Sequence, residues 1–266
     1  MKSSDVRIPY VNLQKQWLEE RNELLPIIDK VLESAQLVGG DQLDKFEENI
    51  AKLCGVKYAC GLNSGTDALM LALTLSGIGK GDEVITPPNS FIASTAAIVH
   101  IGAIPVFVDV LPDQNIDPYK IEAAITKKTK AIMPVHLTGR MCDMDPIMSI
   151  AKKYDLKVIE DSAQSVGSRY KGRLSGSIGD VGCFSTHPLK NLNACGDGGF
   201  LTTNDEVIYN KSRSYRNHGM VNRNIVDHFG SVTRMDNLQA SILNYRLTKL
   251  EEVTQKRRKN AKSYLD

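Results

Sequence analysis

The sequence is poor in the residues that mark membrane proteins, disulfide-rich proteins and cysteine-based metal sites. It has one tryptophan, and aromatic residues make up 6% of its 266 residues. Its five cysteines form no CxxC pair, which argues against a disulfide framework and against a cysteine-bound metal. No apolar run approaches a membrane span, and the first ten residues have no hydrophobic signal core. We therefore expect a reduced, cytoplasmic protein with no metal centre and no membrane association.

The sequence also has no excess of charge of one sign. The sequence has 33 lysines and arginines and 31 acidic residues, which gives a net charge of +2. The one basic run, 256–259, is typical of the solvated face of a helix. This balance gives no reason to expect a nucleic-acid partner. The apolar share of 42% and the charged share of 24% are ordinary for a globular protein that has one large domain or two small ones.

Short apolar runs alternate with helical patterns along most of the chain. This alternation predicts an α/β fold with a mostly parallel sheet and helices on both faces. We interpret 217–233 as a loop and expect a long amphipathic helix from Asp236 to the end. Strands are expected at 55–62, 81–86, 104–109, 131–135, 156–161 and 200–203, and helices at 13–32 (kinked or divided at Pro26), 42–54, 92–101, 121–125 and 146–154.

Two chemically active side chains follow predicted strands. The apolar run 156–159 ends in Glu160 and Asp161, and a second short run breaks into the segment that contains Lys190. The carboxyl ends of strands face the ligand crevice of an α/β sheet. A lysine near an acid in a partly dry pocket can act as a Schiff-base nucleophile, and pyridoxal phosphate enzymes need such a lysine and an aspartate opposite the pyridine nitrogen. Taken singly, however, such a lysine is usually a surface residue and such an aspartate is often a cap.

Two further features could bind parts of the same ligand. The turn 63–67 lies between a strand and a helix, where backbone N–H groups and the hydroxyls of Ser64 and Thr66 make an anion site. It lacks the Walker lysine pattern, and by itself it could be a simple helix cap. Phe91 lies at a strand–loop–helix junction, where it could stack on a flat ring. Periodicity alone favours core packing for Phe91.

The motifs in this order resemble the DegT/DnrJ/EryC1/StrS family of sugar aminotransferases, which have the fold type I pyridoxal phosphate architecture. The resemblance begins at Ile8-Pro9 and covers nearly the whole chain. The matching stretches are NSGTDAL (63–69), GDEVITP (81–87), FIASTAAI (91–98), GAIPVFVDV (102–110), VHLTG (135–139), IEDSAQSVG (159–167), FSTHPLKNL (184–192), GDGG (196–199) and RMDNLQA (234–240).

The resemblance implies a role for each of seven residues around pyridoxal 5′-phosphate. Lys190 would form the Schiff base with the cofactor and move the proton during transamination. Asp161 would pair with the pyridinium nitrogen. Gln164 would bind near the phenolic oxygen, and Phe91 would stack on the ring. The phosphate would be held by Gly65, Thr66 and Ser185. Since relatives with histidine at the lysine position are dehydratases, Lys190 points to transamination.

The sequence departs from the family pattern at two places. Family members commonly have an asparagine two residues before Arg234, which reaches the phosphate of the neighbouring subunit, whereas this chain has Val232. Family members also have a small C-terminal domain. We therefore expect a large cofactor-binding domain over 1–235, and over 236–266 a long helix leading to a small domain that is largely absent.

The resemblance implies a pyridoxal phosphate-dependent aminotransferase that acts on a nucleotide-linked keto-sugar. The amino donor would be glutamate, the products would serve polysaccharide or antibiotic-sugar synthesis, and the enzyme would be a homodimer. Two alternatives stay open at this point. One is a truncated, catalytically silent protein that only binds cofactor or a partner. The other is a lyase of the same fold type.

Overall fold

The computed structural model describes Pro9 and residues 11–265. Ile8, where the resemblance begins, lies outside the described residues. The described chain forms a seven-stranded sheet with helices on both faces, so the predicted fold class is confirmed. The spatial order of the strands is β1-β9-β8-β5-β4-β2-β3. These strands are β1 (Tyr58–Leu62), β2 (Glu83–Thr86), β3 (Ile104–Phe107), β4 (Thr129–Ile132), β5 (Lys157–Asp161), β8 (Val181–Ser185) and β9 (Gly199–Thr203).

Helices and two small hairpins connect these strands. The helices are α1 (Leu13–Ser34), α2 (Asp41–Cys54), α3 (Gly65–Leu75), α4 (Ile92–His100), α5 (Pro118–Ile121), α6 (Met144–Tyr154), α7 (Glu206–Tyr215), α8 (Asn237–Leu247) and α9 (Leu250–Leu265). Short 3₁₀ turns cover Glu122–Ala124 and Leu137–Gly139. The hairpins are β6 (Arg169–Tyr170) with β7 (Arg173–Leu174), and β10 (Met220–Asn222) with β11 (Ile225–Val226). In the part of the chain that the structure describes, no helix is long and apolar enough to cross a membrane.

The central strands are buried on both faces, which explains why they are continuous apolar runs rather than alternating ones. Ile159 of β5 packs into a cluster with α3 and α4, whereas its neighbour Val158 packs into a cluster with α6. A third cluster joins α2 and α8 to β9 around Phe46 and Phe200, whose rings meet edge to face. The sheet is therefore fixed from both sides, and its strand ends are held in place.

All strands of the large sheet run parallel except β9. Asp161 of β5 pairs with Cys183 of β8, and Ser185 at the end of β8 pairs with Gly199 at the start of β9. Gly199 also pairs with Leu62, the last residue of β1. The carboxyl ends of the six parallel strands and the amino end of β9 thus lie along one edge of the sheet. A ligand crevice is expected at this edge.

Three expectations need correction. The long helix expected from Asp236 is two helices, α8 and α9. The N–H groups of Thr248 and Lys249 bond to carbonyls three residues earlier, which ends α8, and Leu250 then packs into the core. The segment 217–233 contains the β10–β11 hairpin and is not wholly loop. Pro26 does not divide α1, which continues through it.

Candidate active site

Asp161 is the buried acid at the centre of the crevice edge. It is the last residue of β5, and its carboxylate is held by two donors from different elements. The Ser94 hydroxyl of α4 donates to Oδ2 at 2.7 Å, and the Ala163 N–H donates to Oδ1 at 3.1 Å. Burial raises the pKa of Asp161, and the two hydrogen bonds oppose that rise without cancelling it. A cation placed against this carboxylate would favour its ionised form.

Lys190 lies on the loop that connects β8 to β9 at the same edge. Its N–H donates to the His187 carbonyl at 2.8 Å, which closes a turn, and its side chain is half-buried. Burial lowers the pKa of the Lys190 amine, and the Asp161 carboxylate opposes that shift. A lysine with a lowered pKa has more of the neutral amine that acts as a nucleophile.

The start of α3 forms a shallow cradle against the end of β8. The Ser64 side chain caps the helix by accepting from the Asp67 N–H at 3.0 Å, so the helix-cap interpretation of this turn is correct as far as Ser64 is concerned. The N–H groups of Gly65 and Thr66 belong to the first helical turn and have no carbonyl partner four residues earlier in the helix. They remain able to bind an anion at the positive end of the helix dipole.

Two glycines allow this close approach. A Cβ on Gly65 would lie 2.8 Å from the Ser185 Cβ, and one on Gly199 would lie 2.5 Å from the Gly65 nitrogen. Real Cβ contacts are not that short, so larger residues would push α3 away from β8 and β9. Ser185, Gly65 and Gly199 therefore meet at one point of the crevice edge.

Phe91 and Gln164 lie in loops at this edge. Phe91 immediately precedes α4 and is 69% exposed, so the core-packing interpretation of this residue is wrong. Gln164 follows β5, and its Oε1 accepts from the Thr138 N–H at 2.7 Å. This bond sets the orientation of the Gln164 side-chain amide, and its NH₂ group can then donate to another acceptor. Thr138 has a φ of 55°, which is unusual for a β-branched residue and directs its N–H to Gln164.

A buried carboxylate–histidine hydrogen bond lies behind Asp161. Glu160 and His136 are fully buried, and His136 Nε2 lies 2.9 Å from Glu160 Oε2. The Glu160 carboxylate also accepts the N–H groups of Gly176 at 2.9 Å, and of Ile178 and Gly179 at 2.7 Å each. Burial would raise the pKa of Glu160, but the hydrogen bonds from His136 and from these N–H donors hold it below its ordinary value. The pair ties loop 176–179 to the sheet.

The seven predicted site residues thus come from the first turn of α3, the loop before α4, the end of β5 with its following loop, and the end of β8 with its following loop. Sequence reasoning missed Ser94 and Thr138. Ser94 lies in the first turn of α4, which leaves the crevice edge, and this position was a usable signal for it. No local pattern indicated Thr138, because its left-handed backbone is imposed by the fold.

Comparison with known proteins adds evidence that is independent of this geometry. The DegT/DnrJ/EryC1/StrS aminotransferase family matches residues 19–266. The chain is 44% identical, over 99% of its length, to the UDP-N-acetyl-3-dehydro-α-D-glucosamine 3-aminotransferase of Acidithiobacillus ferrooxidans, of which it covers 72%. It is 42% identical, over 97% of its length, to a protein of Geobacillus stearothermophilus named pleiotropic regulatory protein, of which it covers 70%.

A solved structure is similar over the same region. The structure of S. venezuelae DesV, in complex with a ketimine intermediate, matches with a TM-score of 0.90 and 41% sequence identity. The match covers 92% of this chain and 67% of DesV.

Proposed function

The chain belongs to the DegT/DnrJ/EryC1/StrS aminotransferase family, and from this membership we propose that it transfers an amino group to the keto carbon of a nucleotide-linked sugar. The membership confirms the family and the aminotransferase class that the sequence motifs predicted. The relative from Acidithiobacillus ferrooxidans is named for such a sugar, which supports the substrate class proposed for this chain. The proposed donor is an amino acid, with glutamate as the first candidate.

One observation carries the proposal. Asp161 ends β5, and Lys190 lies in the loop after β8, the parallel strand beside β5, so both lie at the same edge of the sheet. The charge of each residue shifts the pKa of the other. Burial moves both groups towards their neutral forms. An acid and an amine in this arrangement suit a ligand that has a basic ring nitrogen and an electrophilic carbon.

The cradle fits pyridoxal 5′-phosphate, the cofactor proposed for this chain. Because Gly65 has no Cβ, α3 packs directly against Ser185, so its free N–H groups and the Ser185 side chain can bind one anion. We assign the phosphate to Gly65, Thr66 and Ser185. The exposed ring of Phe91 would cover the flat face of the cofactor, and the NH₂ group of Gln164 would bind its phenolic oxygen.

When bound, the cofactor supplies an electron sink that stabilises charge at the carbon being deprotonated. The Asp161 carboxylate would hold the ring nitrogen in its protonated form. Lys190 would hold the cofactor covalently, and its amine would carry a proton to and from the reacting carbon. Over the full cycle the donor would lose its amino group, take an oxygen atom from one water molecule and leave as a 2-oxo acid. The sugar gains that group and its carbonyl oxygen leaves as water.

We assign residues 1–235 to the cofactor-binding large domain and 236–266 to the connection that follows it. We also propose a homodimer in which the hairpin region near Val232 faces the second subunit. Val232 is 50% exposed and pairs with Asn217, whose side chain accepts from Arg234. A valine cannot donate to a phosphate, so another donor would have to serve the partner's site.

A second candidate function is a non-catalytic, regulatory or binding role. The name of the relative from Geobacillus stearothermophilus favours it. The intact pairing of Asp161 with Ser94 and the half-buried Lys190 favour catalysis, because a protein that only binds a partner has no need of them.

The experiment that separates the two is absorption spectroscopy of the purified protein with pyridoxal phosphate, before and after addition of glutamate. Lys190→Ala serves as the comparison. A visible band that depends on Lys190 and bleaches with glutamate supports an aminotransferase. A wild-type spectrum identical to that of Lys190→Ala would overturn the proposed function and favour the binding role. Nucleotide-linked keto-sugars would then be tested as acceptors of the amino group.

A further inference from the structure

The loop that carries Lys190 is closed at its base by the protein backbone. We call residues 186–198, between β8 and β9, the lysine loop. The Thr186 N–H donates to the Gly198 carbonyl at 2.8 Å, and the Thr186 carbonyl accepts from the Ala194 N–H at 2.7 Å. These bonds fix the two ends of the loop. They do not reach the turn near its middle, where Lys190 lies.

Asn193 links that turn to the rest of the loop. Its side chain is buried, and Nδ2 donates to the Pro188 carbonyl at 3.0 Å. The bond spans the segment that contains Lys190 and joins its two limbs. It therefore fixes the backbone on either side of the lysine.

The same amide is braced from outside by α1. Gln16 Nε2 donates to Asn193 Oδ1 at 3.2 Å, and Asn193 Nδ2 donates to Gln16 Oε1 at 3.1 Å. The two residues are 177 positions apart in the chain. A reciprocal amide pair of this kind sets the rotation of the Asn193 side chain, since each amide presents both a donor and an acceptor to the other.

The backbone of the loop is held by α8. Arg246 Nη1 donates to the Asn193 carbonyl at 2.7 Å, and the same guanidinium donates to Glu20 of α1 at 3.0 and 2.7 Å. Gln239 lies two turns earlier on α8 and pairs with the backbone of Cys195 at 2.8 and 3.0 Å. Two helices from opposite ends of the chain thus converge on Asn193.

We propose that Asn193 is a positioning residue for Lys190: its amide, braced by Gln16, fixes the turn from which the lysine reaches the cofactor. The inference rests on the proposed function, since it takes Lys190 as the residue that binds the cofactor covalently. A lysine amine sits on a flexible four-carbon chain, so the backbone from which it starts determines whether it can attack a bound carbonyl carbon. Misplacement by about 1 Å can cost up to about 100-fold in rate.

The test compares two ligands that differ in their need for Lys190. Pyridoxal phosphate has an aldehyde that condenses with the lysine, and its adduct is trapped by borohydride and located by peptide mass spectrometry. Pyridoxamine phosphate has an amine in place of the aldehyde, cannot condense with lysine, and reports on the rest of the site. Both are measured with Asn193→Ala and with Asn49→Ala as the matched control. Asn49 donates to Asn244 at 3.0 Å in an amide contact between α2 and α8, outside the lysine loop.

We expect Asn193→Ala to form the Lys190 adduct about tenfold more slowly than wild type. Its dissociation constant for pyridoxamine phosphate should stay within about twofold of the wild-type value, because the phosphate and ring contacts remain. Gln16→Ala removes only the outer brace. It should slow adduct formation in the same direction by a smaller factor, and it provides the test if Asn193→Ala does not fold. Asn49→Ala should match wild type with both ligands.

Either of two results would overturn the role of Asn193 and leave the proposed function standing. The first is a wild-type rate of adduct formation in both Asn193→Ala and Gln16→Ala. The second is a parallel loss of pyridoxamine phosphate affinity, which would show damage to the whole site instead of misplacement of the lysine. A wild-type protein that yields no adduct on Lys190 would instead overturn the proposed function, and the role of Asn193 would fall with it.

Discussion

The Ser94 hydroxyl donates to Asp161 Oδ2 across 2.7 Å and so joins the first turn of α4 to the last residue of β5. The two residues are 67 positions apart in the chain. A hydroxyl that donates to a buried carboxylate favours its ionised form. The bond therefore opposes the burial that raises the pKa of Asp161.

Ser94→Ala should weaken cofactor binding by about tenfold or more, because a hydrogen bond to a charged group is worth roughly 1.5 to 3 kcal/mol. Without this donor the pKa of Asp161 rises further. Asp161 is ionised only above its pKa. The pH below which cofactor binding is lost should therefore be higher in the variant than in wild type. Titration of pyridoxamine phosphate binding against pH measures both effects. Ser149→Ala is the control, since the Ser149 hydroxyl donates to a carbonyl of its own helix. The prediction would be contradicted if both variants lost cofactor binding at the same pH.

Asp161→Asn should stabilise the cofactor-free protein while abolishing transamination. A folded-state pKa above the ordinary value of 3.8 means that ionisation of Asp161 opposes folding. The advantage of the variant should therefore be absent at low pH, grow as the pH rises above 3.8, and level off above the folded-state pKa.

Urea unfolding of the cofactor-free protein at several pH values measures this difference. We expect it to reach roughly 1 to 3 kcal/mol at neutral pH. The same substitution at the exposed Asp29 of α1 should show no such pH dependence. A less stable Asp161→Asn at neutral pH would show that the carboxylate contributes more to the fold than its burial costs.

Glu160→Gln should destabilise the protein strongly. The amide nitrogen of glutamine would face either the donors of loop 176–179 or His136, where only an acceptor fits. We expect a loss of about 1 to 3 kcal/mol, the cost of leaving a buried hydrogen-bonding group without a partner. Because the pKa of Glu160 lies below its ordinary value of 4.5, the stability that it provides is present at neutral pH and is lost as the pH falls below about that value.

Denaturant unfolding of Glu160→Gln beside Glu122→Gln measures the loss. Glu122 forms an exposed ion pair with Lys153, so its replacement should leave the unfolding midpoint unchanged. Similar midpoints for the two variants would mean that the buried hydrogen bonds of Glu160 contribute little to stability.

Gly65→Ala should weaken phosphate-group binding. Its Cβ would lie 2.8 Å from the Ser185 Cβ and 3.1 Å from the Ser185 Cα, so α3 would have to move away from β8. That movement would displace the N–H groups of α3, and losing one hydrogen bond to a charged group, worth roughly 1.5 to 3 kcal/mol, would lower the affinity about 10- to 150-fold. Calorimetry with pyridoxamine phosphate measures the loss. Gly79→Ala is the control, since no atom lies within 4 Å of its added Cβ; an equal affinity in both variants would exclude the cradle as the phosphate site.

The sequence was sufficient to place Asp161 and Lys190 after strands, because strand ends are local signals. The run before Glu160 and Asp161 ends abruptly in two acids, and a run broken by proline before Lys190 cannot continue as a strand. Parallel pairing then brings both to one edge, as the structure shows.

Contacts between distant segments could not be predicted in this way. The exposure of Phe91 depends on how α4 leaves the sheet, and the break at Thr248 depends on where Leu250 finds a core to enter. The β10–β11 hairpin was missed because the Asn-, His- and Gly-rich composition around it is typical of loops. In each case, packing overrides the local pattern.

The reversed direction of β9 has a consequence for how this fold can vary. Because β8 and β9 are antiparallel, the segment between Ser185 and Gly199 leaves and re-enters the sheet at the same edge, without a crossover helix. Insertions or deletions there would lengthen or shorten a wall of the crevice and leave the register of both strands unchanged. Such changes would move Lys190, which this segment carries, and would leave Asp161 in place at the end of β5. The length of the segment therefore sets where the lysine lies relative to the acid.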